Sequence, residues 1–201
     1  DYYIEVPESA DATLAVDWLA EQPELAASGL WHRVIRGRAT LPGNGDEAGT
    51  EVDVFAIGPV GPLVTDWQLL ESASRPWQRL QQGQGVMVNE QLARRQNVQV
   101  GQSLEVTLGS GSFEFPVLAT YPDYGRPAGE ILIHPSVLPE DFATGFQSLS
   151  VSPGNLDIEE VNGGLKRVWQ VDELTVRDNR AIEELATAIF DQTFLLTRAM
   201  T

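Results

Sequence analysis

The sequence predicts an α+β fold: one sheet with helices on one face, assembled from both ends of the chain, with a β-rich block inserted between them. Strand–helix–strand patterning fills residues 2–57, and strand–helix–strand–helix patterning returns after residue 147. Between them lie short strands joined by tight turns. Each end alone offers an apolar face too small to be stable, so pairing the two gives a common core.

The elements follow in order. Residues 2–6 alternate in a β manner and stop at Pro7. Ser9 or Asp11 caps a helix over residues 12–25, with Leu14, Ala15, Trp18 and Leu19 expected on its buried stripe. Residues 31–41 and 51–57 read as a hairpin around a loose acidic loop, with Val52, Val54 and Ala56 on one side of the second strand. The breaker cluster at residues 58–62 marks a domain crossing.

In the middle block, residues 67–71 read as a strand and 76–82 as a short helix. A strand at 86–88 leads into Asn89, which caps a helix over 90–95. Residues 104–108 and 113–118 form a hairpin around Gly109-Ser110-Gly111-Ser112, and 131–133 is a further strand. In the last third, 147–151 is a strand and 156–169 a helix striped by Ile158, Val161, Leu165, Val168 and Trp169. Gly163-Gly164 weakens that helix by about 1 kcal/mol per Gly relative to Ala, so packing must hold it. A strand at 174–176 and an Asn179-capped helix from Ala181 complete the pattern. The expected organisation is residues 1–62 with 147–201 as a discontinuous α+β domain and 63–146 as the β-rich insertion.

Composition narrows the function classes. Thirteen Lys and Arg against 29 Asp and Glu leave a formal net charge of −16. That field repels a phosphate backbone, so nucleic acid is not an expected partner, and anionic bilayer surfaces are disfavoured for the same reason. Cysteine is absent, which excludes disulfides, thiolate metal sites and Cys nucleophiles. No initiating Met or signal peptide is present. Past Asp191 the sequence is apolar on more than one face and carries no Gly or Pro stop, so a piece of a longer protein is expected.

No catalytic motif is legible: there is no G-x-S-x-G elbow, P-loop or H-E-x-x-H. His32 and His134 stand without marked partners and are expected in packing or surface roles. Asp46, Glu47, Glu51 and Asp53 supply carboxylates but no EF-hand spacing, and Asp157, Glu159 and Glu160 suit a helix start. No metal, cofactor or catalytic residue is expected. The candidate contact residues are instead Tyr121, Asp123, Tyr124 and Arg126, in an aromatic Pro-Gly loop, with Trp67 and Trp77 partly exposed.

The segment Val86-Met87-Val88-Asn89-Glu90-Gln91-Leu92-Ala93, then Val100-Gly101-Gln102, Leu104-Glu105-Val106 and Val117-Leu118-Ala119, resembles the MacB-like periplasmic domain of FtsX-like ABC-transporter permeases. Ile189-Phe190-Asp191-Gln192-Thr193-Phe194 followed by Leu195-Leu196-Thr197 is similar to the stretch entering a transmembrane helix in the same superfamily. The resemblance implies a "porter"-like outer subdomain and a "Sabre"-like insertion. It also implies a non-catalytic domain outside the cytoplasm, on the periplasmic face of a bacterial inner membrane and attached to that membrane in the full-length protein. Its partners would be a separate cytoplasmic ATPase subunit, whose motion reaches it through the membrane helices, and a periplasmic protein, lipoprotein, lipid or peptide. Two alternatives stand beside it. One is a secreted binding or adhesion module; the other is a carboxylate-based hydrolase, which would need two carboxylates about 5–9.5 Å apart in a pocket.

Overall fold

The computed structural model describes residues 2–8, 10–23, 25, 30–43, 49–58, 67–123 and 125–178. The helix expected from Ala181 with its Asn179 cap, the acidic residues Asp46 and Glu47, and residues 59–62 of the crossing lie outside these. The chain divides into two compact units, residues 1–31 with 148–201, and residues 32–147.

In the first unit, β1 (Tyr2–Glu5) lies between β9 (Thr144–Ser152) and β10 (Val176–Asp178), antiparallel to both. The two ends of the chain therefore share a sheet, as the patterning predicts. Strand β10 starts two residues later than expected, at Val176, although the Glu5 N–H already donates to Thr175 O at 3.0 Å. Helices α1 (Ala12–Ala20) and α4 (Ile158–Trp169) bury Ala12, Ala15, Leu19, Val161, Leu165 and Trp169 against Ile4, Val6, Leu149 and Val151. Asp11 caps α1 by accepting from the Thr13 N–H at 2.8 Å, and Asp157 caps α4 through the Glu159 N–H at 3.1 Å. The Trp169 indole N–H donates to Asp11 O at 2.9 Å, which ties the end of α4 to the start of α1.

The expected stripe of α1 needs one correction. Leu14 is 51% exposed. The buried set is Ala12, Ala15 and Leu19, spaced three and four apart, and Leu14 sits two residues from Ala12, nearly opposite on the helix.

The paired glycines of α4 have unlike surroundings. A Cβ on Gly164 would run into the indole of Trp18, whereas a Cβ on Gly163 meets nothing within 4 Å. Gly164 is thus where α1 and α4 approach closely. Gly164→Ala is expected to destabilise by about 1–3 kcal/mol through overpacking, despite the better helix propensity. Gly163→Ala is expected to stabilise by up to about 1 kcal/mol. Urea unfolding of the two variants checks this, and equal shifts would show that propensity alone sets the outcome.

The second unit holds β2 (Leu30–Leu41) from His32 onward, then β3 (Thr50–Ile57), β4 (Glu71–Ser72) and α2 (Pro76–Gln81). It continues with β5 (Val86–Asn89), α3 (Glu90–Gln96), β6 (Ser103–Leu108), β7 (Gly111–Tyr121) and β8 (Glu130–Ile133). Strands β2 and β3 form the predicted hairpin, from Val34↔Ile57 to Leu41↔Thr50. Strand β3 then pairs in parallel with β8, β8 with β5, β5 in parallel with β7, and β7 with β6. Strand β6 returns to β2 at Thr40↔Thr107, so the ladder closes into a small barrel.

The barrel interior is apolar: Ile35, Ala39, Leu41, Val52, Val54, Ala56, Val86, Val88, Val106, Val117, Ile131 and Ile133, with Leu92 of α3 and Phe142. This interior explains why β2 and β3 group with the middle block, although the sequence reading began that block at residue 63. Their inward side chains have more to cover them inside the barrel than a three-stranded outer sheet could offer. Asn89 caps α3 as expected, its Oδ1 accepting from the Leu92 N–H at 3.1 Å.

Three further expectations change. The strand expected at 67–71 is reduced to Glu71–Ser72, paired with Thr120 and Ala119 of β7. The hairpin loop shrinks to Gly109-Ser110, because Leu108 pairs with Gly111. Gly109 there has φ +57°, a conformation glycine adopts freely. Finally, β7 runs on to Tyr121, which takes the start of the supposed aromatic loop into the sheet.

Candidate partner-contact site

The period of two along each strand sends one set of side chains into the barrel and the other outward. Val34, Ile57, Met87, Leu118, Leu132 and Tyr121 form a second, outward-facing apolar cluster with Leu80 of α2, the register shift of β7 against Val86 and Met87 breaking the alternation so that Leu118 and Tyr121 share that side. Phe55, Trp67, Leu69 and Trp77 pack against it and are partly buried. Four aromatic rings meet here: Trp67 lies 6.0 Å from Phe55, 5.9 Å from Trp77, and 5.6 Å from Tyr121 in an edge-on arrangement of 87°. The Trp67–Tyr121 pair gains from edge-to-face attraction as well as buried area, while the other two pairs are tilted.

A buried carboxylate anchors the wall. Glu130 is only 3% exposed, yet its partners are numerous. Arg36 Nη1 donates to Oε2 at 2.5 Å, and the Tyr121 O–H donates to Oε1 at 2.9 Å. Arg126 Nε stands 3.8 Å from the same Oε2, and its Nη1 reaches Asp53 Oδ2 at 3.3 Å. The Glu130 backbone N–H donates to Asn89 Oδ1 at 3.1 Å, the oxygen that caps α3, while Asn89 Nδ2 donates to Arg126 O at 3.3 Å. Burial, and next the Glu130 charge, push the Tyr121 phenol well above its ordinary range, so it stays protonated and donates. The Arg36 guanidinium also lies over the Phe55 ring, 3.6 Å from its centroid, across the β2–β3 register that pairs the two residues.

The sequence-predicted contact residues divide accordingly. Tyr121 is a correction: at 1% exposure it is a core residue at the end of β7 and offers no surface. Its side chain points outward from the barrel, but Trp67 and Glu130 cover it. Trp67 and Trp77 are half-buried and in mutual contact. Arg126 is exposed and joined to Tyr121 through Glu130. Asp123 is half-buried and turns the chain locally, accepting from the Gly125 N–H at 2.8 Å. Tyr124 lies outside the described residues. Sequence reasoning missed Arg36, Phe55, Glu130 and the bridging role of Asn89. The legible signal was Glu130 leading the apolar run Ile131-Leu132-Ile133, since a carboxylate in a buried strand requires cationic partners.

Neither histidine enters this wall. His134 Nδ1 accepts from the Ser136 N–H at 3.2 Å and caps the turn Pro135–Val137. Among the described residues no group of three or more His, Cys, Asp or Glu is placed to hold a metal ion. Two open grooves lie beside the end of α3. One of about 430 Å³ is lined by Gln96, Asn97, Gln102 and Glu105, and one of about 320 Å³ by Leu70, Glu90, Arg94 and Val98.

The architecture has solved counterparts. The crystal structure of the periplasmic region of MacB from Actinobacillus actinomycetemcomitans superposes with a TM-score of 0.63, covering 92% of this chain and 91% of that one at 12% identity. This chain has a MacB-like periplasmic-domain fold. The MacB-like fold also matches the extracellular domain of the noncanonic ABC-type transporter YknZ from Gram-positive bacteria, with a TM-score of 0.53 over 88% of this chain and 98% of that one, at 9% identity. In sequence, this chain is 27% identical over 162 residues to an uncharacterised ABC transporter permease protein of Mycobacterium tuberculosis. The match covers 76% of this chain and 18% of that protein's length. No family model matches. Among the described residues no helix is long and apolar enough to cross a membrane.

Proposed function

We propose that this chain is the extracytoplasmic domain of an ABC-transporter permease subunit. The observation that carries the reading is the agreement of two independent likenesses: a MacB-like fold over nearly the whole chain, and sequence similarity to a transporter permease over 76% of it. In this reading the discontinuous first unit is porter-like and the barrel unit Sabre-like. The domain is non-catalytic and sits outside the inner membrane. A separate cytoplasmic ATPase subunit supplies the free energy, and membrane helices relay the motion to the domain, which engages a periplasmic partner or a lipid, lipoprotein or peptide cargo. The buried Glu130 network suits such a role, because it ties β2, β3, β8 and the 122–129 segment together and lets the barrel move as a body.

This chain carries no cysteine of its own. A single cysteine placed at exposed Gln78, in the complete gene product with any cysteine outside this chain replaced by serine, should react with a membrane-impermeant maleimide in intact cells. Labelling only after lysis would place the domain in the cytoplasm and overturn the reading. The purified chain should also show no thermal shift with millimolar ATP, whereas a shift would reveal a nucleotide site.

A further inference from the structure

We infer that α3 is a hinged flap on the barrel: it pivots at Asn89, and Arg95 latches its free end to the strap formed by residues 126–129. The inference concerns the barrel unit alone and does not depend on which side of a membrane the chain faces. The two ends of α3 are held by unlike means. At its start Asn89 is fully buried, its Oδ1 accepting from the Leu92 and Glu130 N–H groups, both at 3.1 Å. Its Nδ2 donates to Gln91 Oε1 at 3.0 Å and to Arg126 O at 3.3 Å. At the far end the hold is an exposed side chain. Arg95 Nη1 donates to Ala128 O at 2.8 Å, and Nη2 donates to Pro127 O. Hydrogen bonds open to water are readily exchanged for hydration, so this end is the weaker one.

Space and length point the same way. The grooves of about 430 and 320 Å³ flank this end, and Asn97 and Val98 line both. A helix of seven residues does not persist by itself, and Leu92 is the one side chain that α3 buries fully. Leu92 joins the apolar interior of the barrel and lies under the seam between helix and strap, since a Cβ on Gly129 would meet it at 2.9 Å. The chain leaves α3 through Asn97, at φ 50°, and rejoins β7 where the Gly101 N–H donates to Val117 O at 2.8 Å. Gly101 has φ 89° and nothing within 4 Å of its Cβ position, which suits a second pivot. When the latch parts, residues 97 and 98 swing outward. The two grooves then join into one trough between Leu104 and Thr120, and Leu92 is laid open. Few apolar contacts are lost, so this opening costs less than unfolding the barrel, and the Glu130 wall stays closed.

Amide hydrogen exchange on the 201-residue chain tests the flap. The amides of residues 93–96 should exchange at least about tenfold faster than those of β6, with little dependence on dilute urea. Arg95→Ala should speed the exchange of 93–96 about fivefold, the scale of one hydrogen bond, and leave β6 unchanged. Arg94→Ala removes only the pair with Glu90 at 2.6 Å inside α3, and controls for helix propensity. It should leave both rates within about twofold. A unique thiol in this cysteine-free chain gives a second reading. Leu92→Cys should react with a small aromatic disulfide faster than Val106→Cys, whose buried β6 site opens only when the barrel unfolds, and Arg95→Ala should widen that gap. The inference is overturned if residues 93–96 exchange as slowly as β6. It is equally overturned if Arg94→Ala matches Arg95→Ala, if Arg95→Ala speeds β6 to the same extent, or if the two thiols react at one rate.

Discussion

Arg36→Met is expected to destabilise the chain by about 3–5 kcal/mol in urea unfolding at neutral pH, the range for breaking a buried ion pair from one side. Glu130 is 3% exposed and depends on the Arg36 Nη1 bond at 2.5 Å. Without it, the carboxylate keeps only the Tyr121 O–H and the more distant Arg126 guanidinium at 3.8 Å. Methionine preserves the aliphatic stem over the Phe55 ring, so lost packing is the smaller part of the effect. The charge account makes a second demand. In Arg36→Met/Glu130→Gln the uncompensated charge is gone, while the amide oxygen still accepts from Tyr121. The double variant should therefore be more stable than Arg36→Met alone, with a coupling of about 2 kcal/mol. Simple additivity of the two single changes would show that the pair is not what holds this wall.

Acidification should unfold the chain through His32 as well as through its carboxylates. Burial lowers the His32 pKa from 6.5 to about 4. The unfolded chain therefore binds the proton more readily than the folded one between those values. Stability due to this group is complete above pH 6.5, declines as pH falls, and is lost once pH passes below about 4. The total is about 3 kcal/mol at 1.36 kcal/mol per pKa unit. Burial moves His134 in the same direction, and the Ser110 hydrogen bonds lower the Asp141 carboxyl, so both add to acid lability. His32→Gln isolates the main contribution. The stability difference between wild type and His32→Gln should change by about 3 kcal/mol between pH 7 and pH 4, in favour of the variant at low pH. A difference constant across that range would rule out a histidine held neutral by burial.

Much of the secondary structure was legible because it rests on local causes. The caps at Asp11 and Asn89 are side-chain bonds to backbone N–H groups two or three residues away, and such spacings are visible in a linear text; Asp157, expected only to suit the helix dipole, proves to be the cap of α4. The β2–β3 hairpin and the β6–β7 hairpin announced themselves by alternation around turn residues. The pairing of β1 with β9, across more than 140 residues, followed from the need of each end to cover its apolar face.

The candidate site was legible only in part. Aromatic and Gly-Pro context points to Trp67, Trp77 and Arg126, whose contact role is a proposal, and the same reasoning puts Tyr121 on the surface, where the structure buries it. Strand β7 in fact continues through Thr120 and Tyr121, because β5 pairs with both residues from the other side. Exposure depends on what the rest of the chain lays over a residue, and no local pattern around Tyr121 contains Trp67 or Glu130.

The amino-acid sequence by itself determined the element types, the capping residues, the acidic surface and the joining of the two ends. Those follow from period, composition and short-range hydrogen bonding. Only the tertiary structure decided that β2 and β3 line a closed barrel, that Gly164 is a contact point for Trp18, and that Arg36, Asn89, Tyr121 and Glu130 form one network. These depend on register between strands distant in sequence. A shift of one residue would send Glu130 into the apolar interior and Ile131 outward, so the site exists only where the whole ladder sets it.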